Sequence, residues 1–278
     1  MFFFVRLLMF FWVGGIVPLM AQNSPIELKS CWALWNPYQY EVFVEGQKPY
    51  LIGLDIKLAQ KTAQIASMHI SYEMMTWENQ LKALKEGTKD LANGALYSQE
   101  RAKDYHYSIS YRHEQRSLFF LRDNPLSIQF KNIDEMLEQF KEKKFRLGTT
   151  TGEYYPDKNL ADWINNPDNQ AQIVKGEDDS VHLQNLLQGK IDGFLADRLS
   201  GATNVWSSRK GSLVTEMFIE EKKPVYFIFS KKTVSLETVE KFNNAIRELQ
   251  KSSDYKQIIK QYLPPDAFFE RPKNRDMF

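Results

Sequence analysis

Short apolar segments alternate with amphipathic segments of helical period from Ile26 onward, and this alternation restricts the fold more than any other feature of the chain. Residues 26–35 (IELKSCWALW) read as a strand, whereas residues 54–66 (LDIKLAQKTAQIA) place Ile56, Ala59 and Ala63 on one helical face. Strands that alternate with helices of this length are typical of α/β proteins. The sequence therefore predicts an α/β fold in which helices flank mainly parallel sheets.

The alternating pattern occurs twice, and one long strand separates the two occurrences. The first covers residues 26 to about 111 and the second about 118 to 217, with residues 115–124 (QRSLFFLRDN) between them. A strand and two helices follow Val225 and would complete the first half. We predict two lobes, 26–115 with 225–278 and 116–224, joined by two hinge strands. Ligands of such proteins bind in the cleft, at the carboxyl ends of strands.

The N-terminal residues 1–21 have the pattern of a secretory signal peptide. Arg6 precedes an apolar run over residues 7–20, which glycines and a proline interrupt near its end. The run is shorter than the roughly 20 residues that a membrane-spanning helix needs, although a membrane anchor is the alternative interpretation. We predict cleavage after Ala21 and a periplasmic mature protein.

The overall composition gives no sign of a charged macromolecular partner or of a resident cofactor. The chain has 36 Lys and Arg against 35 Asp and Glu, so we expect no nucleic-acid partner and a soluble monomer. Cys31 is the single cysteine, cannot form an internal disulfide, and reads as a buried strand residue. The four histidines are scattered without metal-ligand spacing. We therefore predict no metal, no cofactor and no catalytic residues.

Two charged residues follow predicted strands where the cleft would lie. Arg101 is near the start of a helix that Ser98 would cap, where a cation is unfavourable unless an anion binds there too. The alternative is a solvated arginine that pairs with Asp104. Asp197 ends a buried strand just before a helix, and the simplest interpretation is an N-cap. If both residues face one cleft, a zwitterion would suit them.

The chain also resembles the amino-acid-type (family 3) periplasmic solute-binding proteins of ABC importers. The resemblance covers nearly all of the chain after the signal peptide and rests on the order and spacing of several segments. These are NPYQYEV with LIGLDIKLAQKTA, WENQLKALKEGTKDLANGALYSQERAKDYHYSISY, FRLGTTTGEYY and LLQGKIDGFLAD. The resemblance implies a two-lobe periplasmic-binding-protein type II fold. It also implies capture of a small polar or zwitterionic metabolite, such as an amino acid, and delivery to an ABC permease.

The resemblance assigns roles to individual residues. Arg101 matches the arginine that holds the ligand α-carboxylate, and Asp197 matches the acid that holds the α-ammonium. Trp35 and Trp77 match aromatic positions that sandwich the ligand side chain, although core packing is the usual role of a tryptophan. The matching positions that line the pocket are Asn93 and Gly94.

Two positions depart from the family pattern. Leu96 stands where the family usually has a serine or threonine that donates to the carboxylate, and Glu153 stands where it has a threonine. Thr150 and Thr151 are nearby donors that could substitute. Glu153 would repel a ligand carboxylate, or it would bind a cationic part of the ligand. The ligand class therefore stays open beyond a small polar or charged metabolite.

Two other functions are compatible with the same resemblance. A few relatives of the family are dehydratases that act on cyclic acids, and Glu153 would be the acid of a cyclohexadienyl-dehydratase-like enzyme. No nucleophile–base pair is evident from spacing, so we predict a binding protein and not an enzyme. A ligand-sensing binding protein that serves a receptor is the other alternative.

Overall fold

The computed structural model describes residues 25–263, which form twelve strands and nine α-helices. The strands are β1 (Ile26–Trp32), β2 (Tyr40–Val42), β3 (Tyr50–Ile52), β4 (Met68–Met74), β5 (Leu91–Leu96), β6 (Tyr105–Glu114), β7 (Arg116–Leu121), β8 (Leu147–Thr150), β9 (Ile173–Gly176), β10 (Gly193–Asp197), β11 (Val214–Phe218) and β12 (Lys223–Ser230). The helices are α1 (Leu54–Ile65), α2 (Trp77–Glu86), α3 (Arg101–Asp104), α4 (Ile133–Lys143), α5 (Lys158–Asn165), α6 (Asp179–Leu187), α7 (Arg198–Ser207), α8 (Leu236–Lys251) and α9 (Ser253–Tyr262).

The strands form two five-stranded sheets and a small hairpin of β2 and β3. The first sheet has the order β4-β1-β5-β12-β6, and the second has the order β11-β7-β10-β8-β9. Each sheet is mixed, with two parallel and two antiparallel pairings, rather than mainly parallel as the alternation suggests. In each sheet one strand runs opposite to the other four, β12 in the first and β7 in the second, because each carries the chain into its lobe away from the crossing.

Two extended crossings join the sheets. Gln115 alone separates β6 from β7, and residues 219–222 separate β11 from β12. The Gln115 side-chain amide donates to the backbone carbonyl of Glu220 at 3.3 Å, which ties one crossing to the other. The strand after Gln115 is predicted from the sequence and β6 is not, although Tyr105, Tyr107 and Ile109 alternate with polar residues in β6.

Each sheet has its own apolar core. Leu28, Phe227 and Phe242 belong to the core beside the first sheet, to which the C-terminal strand β12 and helix α8 contribute. Phe140 and Phe145 stack with ring centroids 4.2 Å apart in the second core. Cys31 is fully buried in β1, and burial raises the pKa of its thiol to about 12, in agreement with an unreactive structural cysteine.

The predicted signal peptide and residues 264–278 of the predicted first lobe lie outside the described residues. Across residues 25–263, no helix combines the length and the apolar character that crossing a bilayer requires.

Candidate functional site

A cavity lies between the two sheets, at the carboxyl ends of strands from both. One wall comes from the loop after β1, the start of α2 and the end of β5, and the other from the segments that follow β8, β9 and β10. The space measures about 780 Å³, part of which is open to solvent. This is the location at which α/β proteins bind small molecules.

The structure brings together all but one of the residues predicted to bind ligand. The lining residues among them are Trp35, Trp77, Asn93, Gly94, Leu96, Arg101, Glu153 and Asp197. Thr151 is the exception, because its side chain is exposed and its backbone N–H donates to the carbonyl of Gly176 at 3.0 Å. Thr150, the last residue of β8, lines the cavity in its place.

Arg101 occupies the first wall but not for the reason that its sequence position suggests. Helix α3 is a single turn, so its dipole is small, although Ser98 Oγ accepts from the Arg101 N–H at 3.1 Å as a cap would. The guanidinium carbon instead lies 5.7 Å from the centroid of the Trp77 ring and 5.4 Å from that of Tyr154. One Nη donates to the Gly152 carbonyl at 3.2 Å, across the cavity.

The expected alternative partner of Arg101 is engaged elsewhere. Asp104 forms an ion pair with Lys85 at 2.8 Å, so it does not neutralise Arg101. Burial lowers the pKa of the Arg101 guanidinium, which still leaves a charged arginine at neutral pH. A ligand carboxylate in the cavity would therefore meet a cation whose contacts are aromatic rings and one carbonyl.

Asp197 caps α7 and also connects the lobes. Its Oδ1 accepts from the backbone N–H groups of Leu199 at 3.0 Å and Ser200 at 3.1 Å, as predicted for an N-cap. The same oxygen accepts from the Tyr38 hydroxyl at 2.7 Å, and Oδ2 accepts from the backbone N–H of Gln115 at 3.2 Å. Oδ2 therefore retains acceptor capacity, whereas Oδ1 is saturated.

Glu153 is neutralised within the protein, which the sequence did not indicate. The buried Arg116 places Nη1 2.8 Å from Glu153 Oε1, and the Tyr155 hydroxyl donates to Oε2 at 3.1 Å. The expected repulsion of a ligand carboxylate is therefore offset by an internal cation. Arg116 itself lines the cavity. The one sequence feature that could have indicated this position is a charged residue at the start of an apolar strand.

Gly94 is required by the close approach of Trp35 to β5. Gly94 has a φ of +83°, and a Cβ there would lie 2.6 Å from the Trp35 ring and 3.3 Å from an Asp55 carboxylate oxygen. Asp55 is held by a bidentate ion pair with the fully buried Arg112, whose guanidinium carbon lies 3.8 Å from the centroid of the Tyr38 ring. This packing fixes Trp35 at the cavity wall.

Three buried amide side chains line the first wall with unused hydrogen-bonding capacity. Neither amide atom of Asn93 has a hydrogen-bond partner of good geometry among residues 25–263, although the Tyr72 hydroxyl lies close enough to interact. The carbonyl oxygens of Gln39 and Gln80 are likewise unpaired within that range. Buried amides are normally paired, so these groups are candidates to bind a polar ligand.

Four acidic residues that line the cavity were not predicted from the sequence. Glu114 lies between Arg112 and Arg116 at the hinge, and burial raises the pKa of its carboxyl. Glu177, Asp178 and Asp179 follow β9, in a run of acids that was a visible signal in the sequence. With Glu153 and Asp197, the second wall is strongly acidic.

Known proteins resemble this chain over most of its length. The L-cystine-binding protein TcyJ of Escherichia coli (strain K12) is 24% identical over 225 residues, which are 80% of this chain and 78% of that protein. An ancestral arginine-binding protein bound to arginine superposes with a TM-score of 0.69 at 21% identity, covering 87% of this chain and all of the other. The ancestral amino acid-binding protein AncCDT-1, a precursor of cyclohexadienyl dehydratase, superposes with a TM-score of 0.66 at 17% identity, covering 87% and 96%.

These structural likenesses establish the two-lobe periplasmic-binding-protein type II fold. A family sequence model matches residues 34–265, which include every strand of both sheets except β1 and every residue of the cavity wall except Ala33. The chain therefore belongs to the bacterial extracellular solute-binding proteins, family 3.

Proposed function

We propose that this protein binds an amino acid or a related zwitterionic metabolite between its lobes and delivers it to an ABC permease as a periplasmic monomer. The supporting observation is the pairing of Arg101 on one cavity wall with Asp197 on the other. Arginine binds a carboxylate with two parallel hydrogen bonds, and an unsaturated carboxylate oxygen accepts from an ammonium group. The orphaned amide of Asn93 supplies further donors and an acceptor.

We also propose that the predicted lobes, 26–115 with 225–278 and 116–224, move about the two crossings. Gln115 and residues 219–222 are the only connections between the sheets in the described chain. Away from the crossings, two side-chain hydrogen bonds of the described chain span the cleft, from Tyr38 to Asp197 and from Arg101 to Gly152, beside apolar contacts of Leu199 and Ala202 with the first core. Few contacts of this kind are expected where a hinge must open and close around a ligand.

Thermal unfolding in the presence of single compounds tests the proposed ligand class. A compound that binds the native state alone raises the unfolding midpoint by mass action. We expect at least one L-α-amino acid to raise the midpoint, and isothermal titration calorimetry to give a stoichiometry of one. The absence of a shift with every amino acid tested would count against the proposal.

An enzyme on the same fold is the second candidate, because AncCDT-1 is described as a precursor of a dehydratase. Glu153, the residue that would act as its acid, is engaged by Arg116 and Tyr155. Both carboxylate oxygens of Glu153 therefore already have partners within the protein, which leaves this residue less free to engage a substrate. Turnover of a cyclic acid that is lost in Glu153→Gln would favour the enzyme.

A further inference from the structure

A second cavity adjoins the first and shares Leu34, Trp35, Asp178 and Asp179 with it. It measures about 600 Å³, including space open to solvent, and extends under the β2–β3 hairpin. Asn36, Tyr40 and Glu41 line it from the first lobe, and Ser180, Ser200 and Asn204 line it from the second. The cleft therefore continues past Trp35 into the second cavity.

The charges around this second cavity are of one sign. Glu41, Asp178 and Asp179 contribute carboxyl groups, and no lysine, arginine or histidine of the described chain lines it. Asp178 is occupied as the N-cap of α6, because its Oδ1 accepts from the backbone N–H groups of Ser180 at 2.8 Å and Val181 at 3.0 Å. Its carboxylate is therefore used to hold the helix.

Asp179 differs from its neighbour because no backbone N–H group donates to its carboxyl group. The residue is only 6% exposed, and one oxygen accepts from the Ser200 hydroxyl. No hydrogen bond to its Oδ1 and no ion pair of its carboxyl group occurs within residues 25–263. An ionised carboxyl group that is buried without a compensating cation is unfavourable, so Asp179 favours its protonated form without ligand, and a ligand cation would stabilise its ionised form.

We propose that Asp179 receives a second cationic group of an elongated ligand, whose head lies between Arg101 and Asp197 and whose tail passes Trp35 into the second cavity. This inference rests on the proposed function and specifies its ligand class. The tail would carry an ammonium or a guanidinium group. A second complete zwitterion is disfavoured, because three acidic residues and no basic residue of the described chain line the second cavity, so its carboxylate would have no cation to pair with there.

Calorimetric titration with three related probes tests the role of Asp179. L-Lysine and L-norleucine share one carbon skeleton and differ in the terminal ammonium, and 1,5-diaminopentane has the amines without the carboxylate. We expect the protein to bind L-lysine about 30-fold more tightly than L-norleucine, as befits one buried ion pair. Asp179→Asn keeps the shape of the side chain and its contact with Ser200. In this variant we expect the preference for L-lysine over L-norleucine to fall below about 3-fold.

Asp162→Asn is the matched control, since it removes one negative charge from the exposed face of α5. We expect this substitution to leave the preference for L-lysine over L-norleucine unchanged. Equal affinity for lysine and norleucine, or a preference that survives Asp179→Asn, would overturn the role of Asp179 while the proposed function stands. Binding of 1,5-diaminopentane alone, lost in Asp179→Asn, would support Asp179 and contradict an amino-acid ligand. Binding of none of the three probes would overturn the inference.

Discussion

At the scale of single residues, Arg101 is the cation to which we assign the proposed recognition of a ligand carboxylate. Removal of its side chain in Arg101→Ala takes away the planar group that would bind the ligand with two charge-assisted hydrogen bonds. We expect the affinity for the best amino acid to fall at least about 100-fold, with a change of less than about 1 kcal/mol in the free energy of unfolding. Calorimetry and urea denaturation measure the two quantities.

Arg101→Lys is the informative companion, since it keeps the charge and loses the fork geometry. An intermediate loss of affinity is expected. If Arg101→Ala leaves the affinity unchanged, Arg101 does not contribute to binding, whatever the ligand proves to be.

The environment of Asp179 makes a separate prediction about stability. Burial, and then the nearby carboxyl groups of Glu153, Asp197 and Asp178, raise the pKa of Asp179 to about 8 from 3.8, against the hydrogen bond from Ser200. The folded protein therefore holds a proton that the unfolded chain releases, so stability falls as pH rises from about 4 to about 8. Asp179→Asn removes this contribution. The gain in free energy of unfolding over the parent protein should therefore be larger at pH 8.5 than at pH 5.

Urea denaturation of both proteins, without ligand, measures the difference at the two pH values. Other buried carboxyl groups, such as Glu114, titrate in both proteins and cancel in the comparison. A stability difference that is the same at pH 5 and pH 8.5 would mean that Asp179 titrates normally.

At the scale of elements, much of the architecture could be predicted from sequence pattern. Helix α2 ends where the sequence places a glycine C-cap, and Gly87 has a φ of 79°. The strand β6 and the β2–β3 hairpin were missed for different reasons. β6 alternates tyrosines and an isoleucine with polar residues, so its sequence does carry a strand pattern. β2 and β3 are only three residues each, which is too short for a periodicity to be read.

The site was predictable to the extent that residues follow strand ends. Asp197 and Gly94 lie at the ends of buried strands, where clefts form in α/β proteins. Arg116 and Asp179 were missed because their importance depends on which charges face them across the cavity. That arrangement is a property of the folded chain.

The contact between β5 and the loop after β1 can be tested through Gly94. Gly94→Ala introduces a Cβ at positive φ and 2.6 Å from the Trp35 ring, and we expect it to lower the free energy of unfolding by about 3 kcal/mol. Gly46→Ala is a matched control, because Gly46 also has a positive φ, +76°, but a Cβ there meets nothing within 4 Å. Gly46→Ala should lower the free energy of unfolding by only about 1 kcal/mol. Equal losses in urea denaturation would mean that Trp35 moves aside freely.

At the scale of the whole molecule, the proposed opening and closing of the lobes would break and form few hydrogen bonds across the cleft. The Tyr38 hydroxyl belongs to the first lobe and donates to Asp197 of the second at 2.7 Å. Asp197 also holds the Gln115 N–H at the crossing, so this contact joins the hinge to both lobes. A bond that exists only when the lobes are together shifts the population toward the closed form.

Tyr38→Phe removes this bond and keeps the ring that packs against Arg112. We expect a larger radius of gyration without ligand, by small-angle X-ray scattering, and about 10-fold weaker binding of the best amino acid, since a hydrogen bond to a carboxylate contributes about 1.5 kcal/mol. Tyr255→Phe is the control: its hydroxyl donates to the Tyr111 carbonyl at 2.7 Å, between residues that both pack in the first core. Equal effects of the two substitutions on affinity would show that Tyr38 stabilises its lobe rather than the closed state.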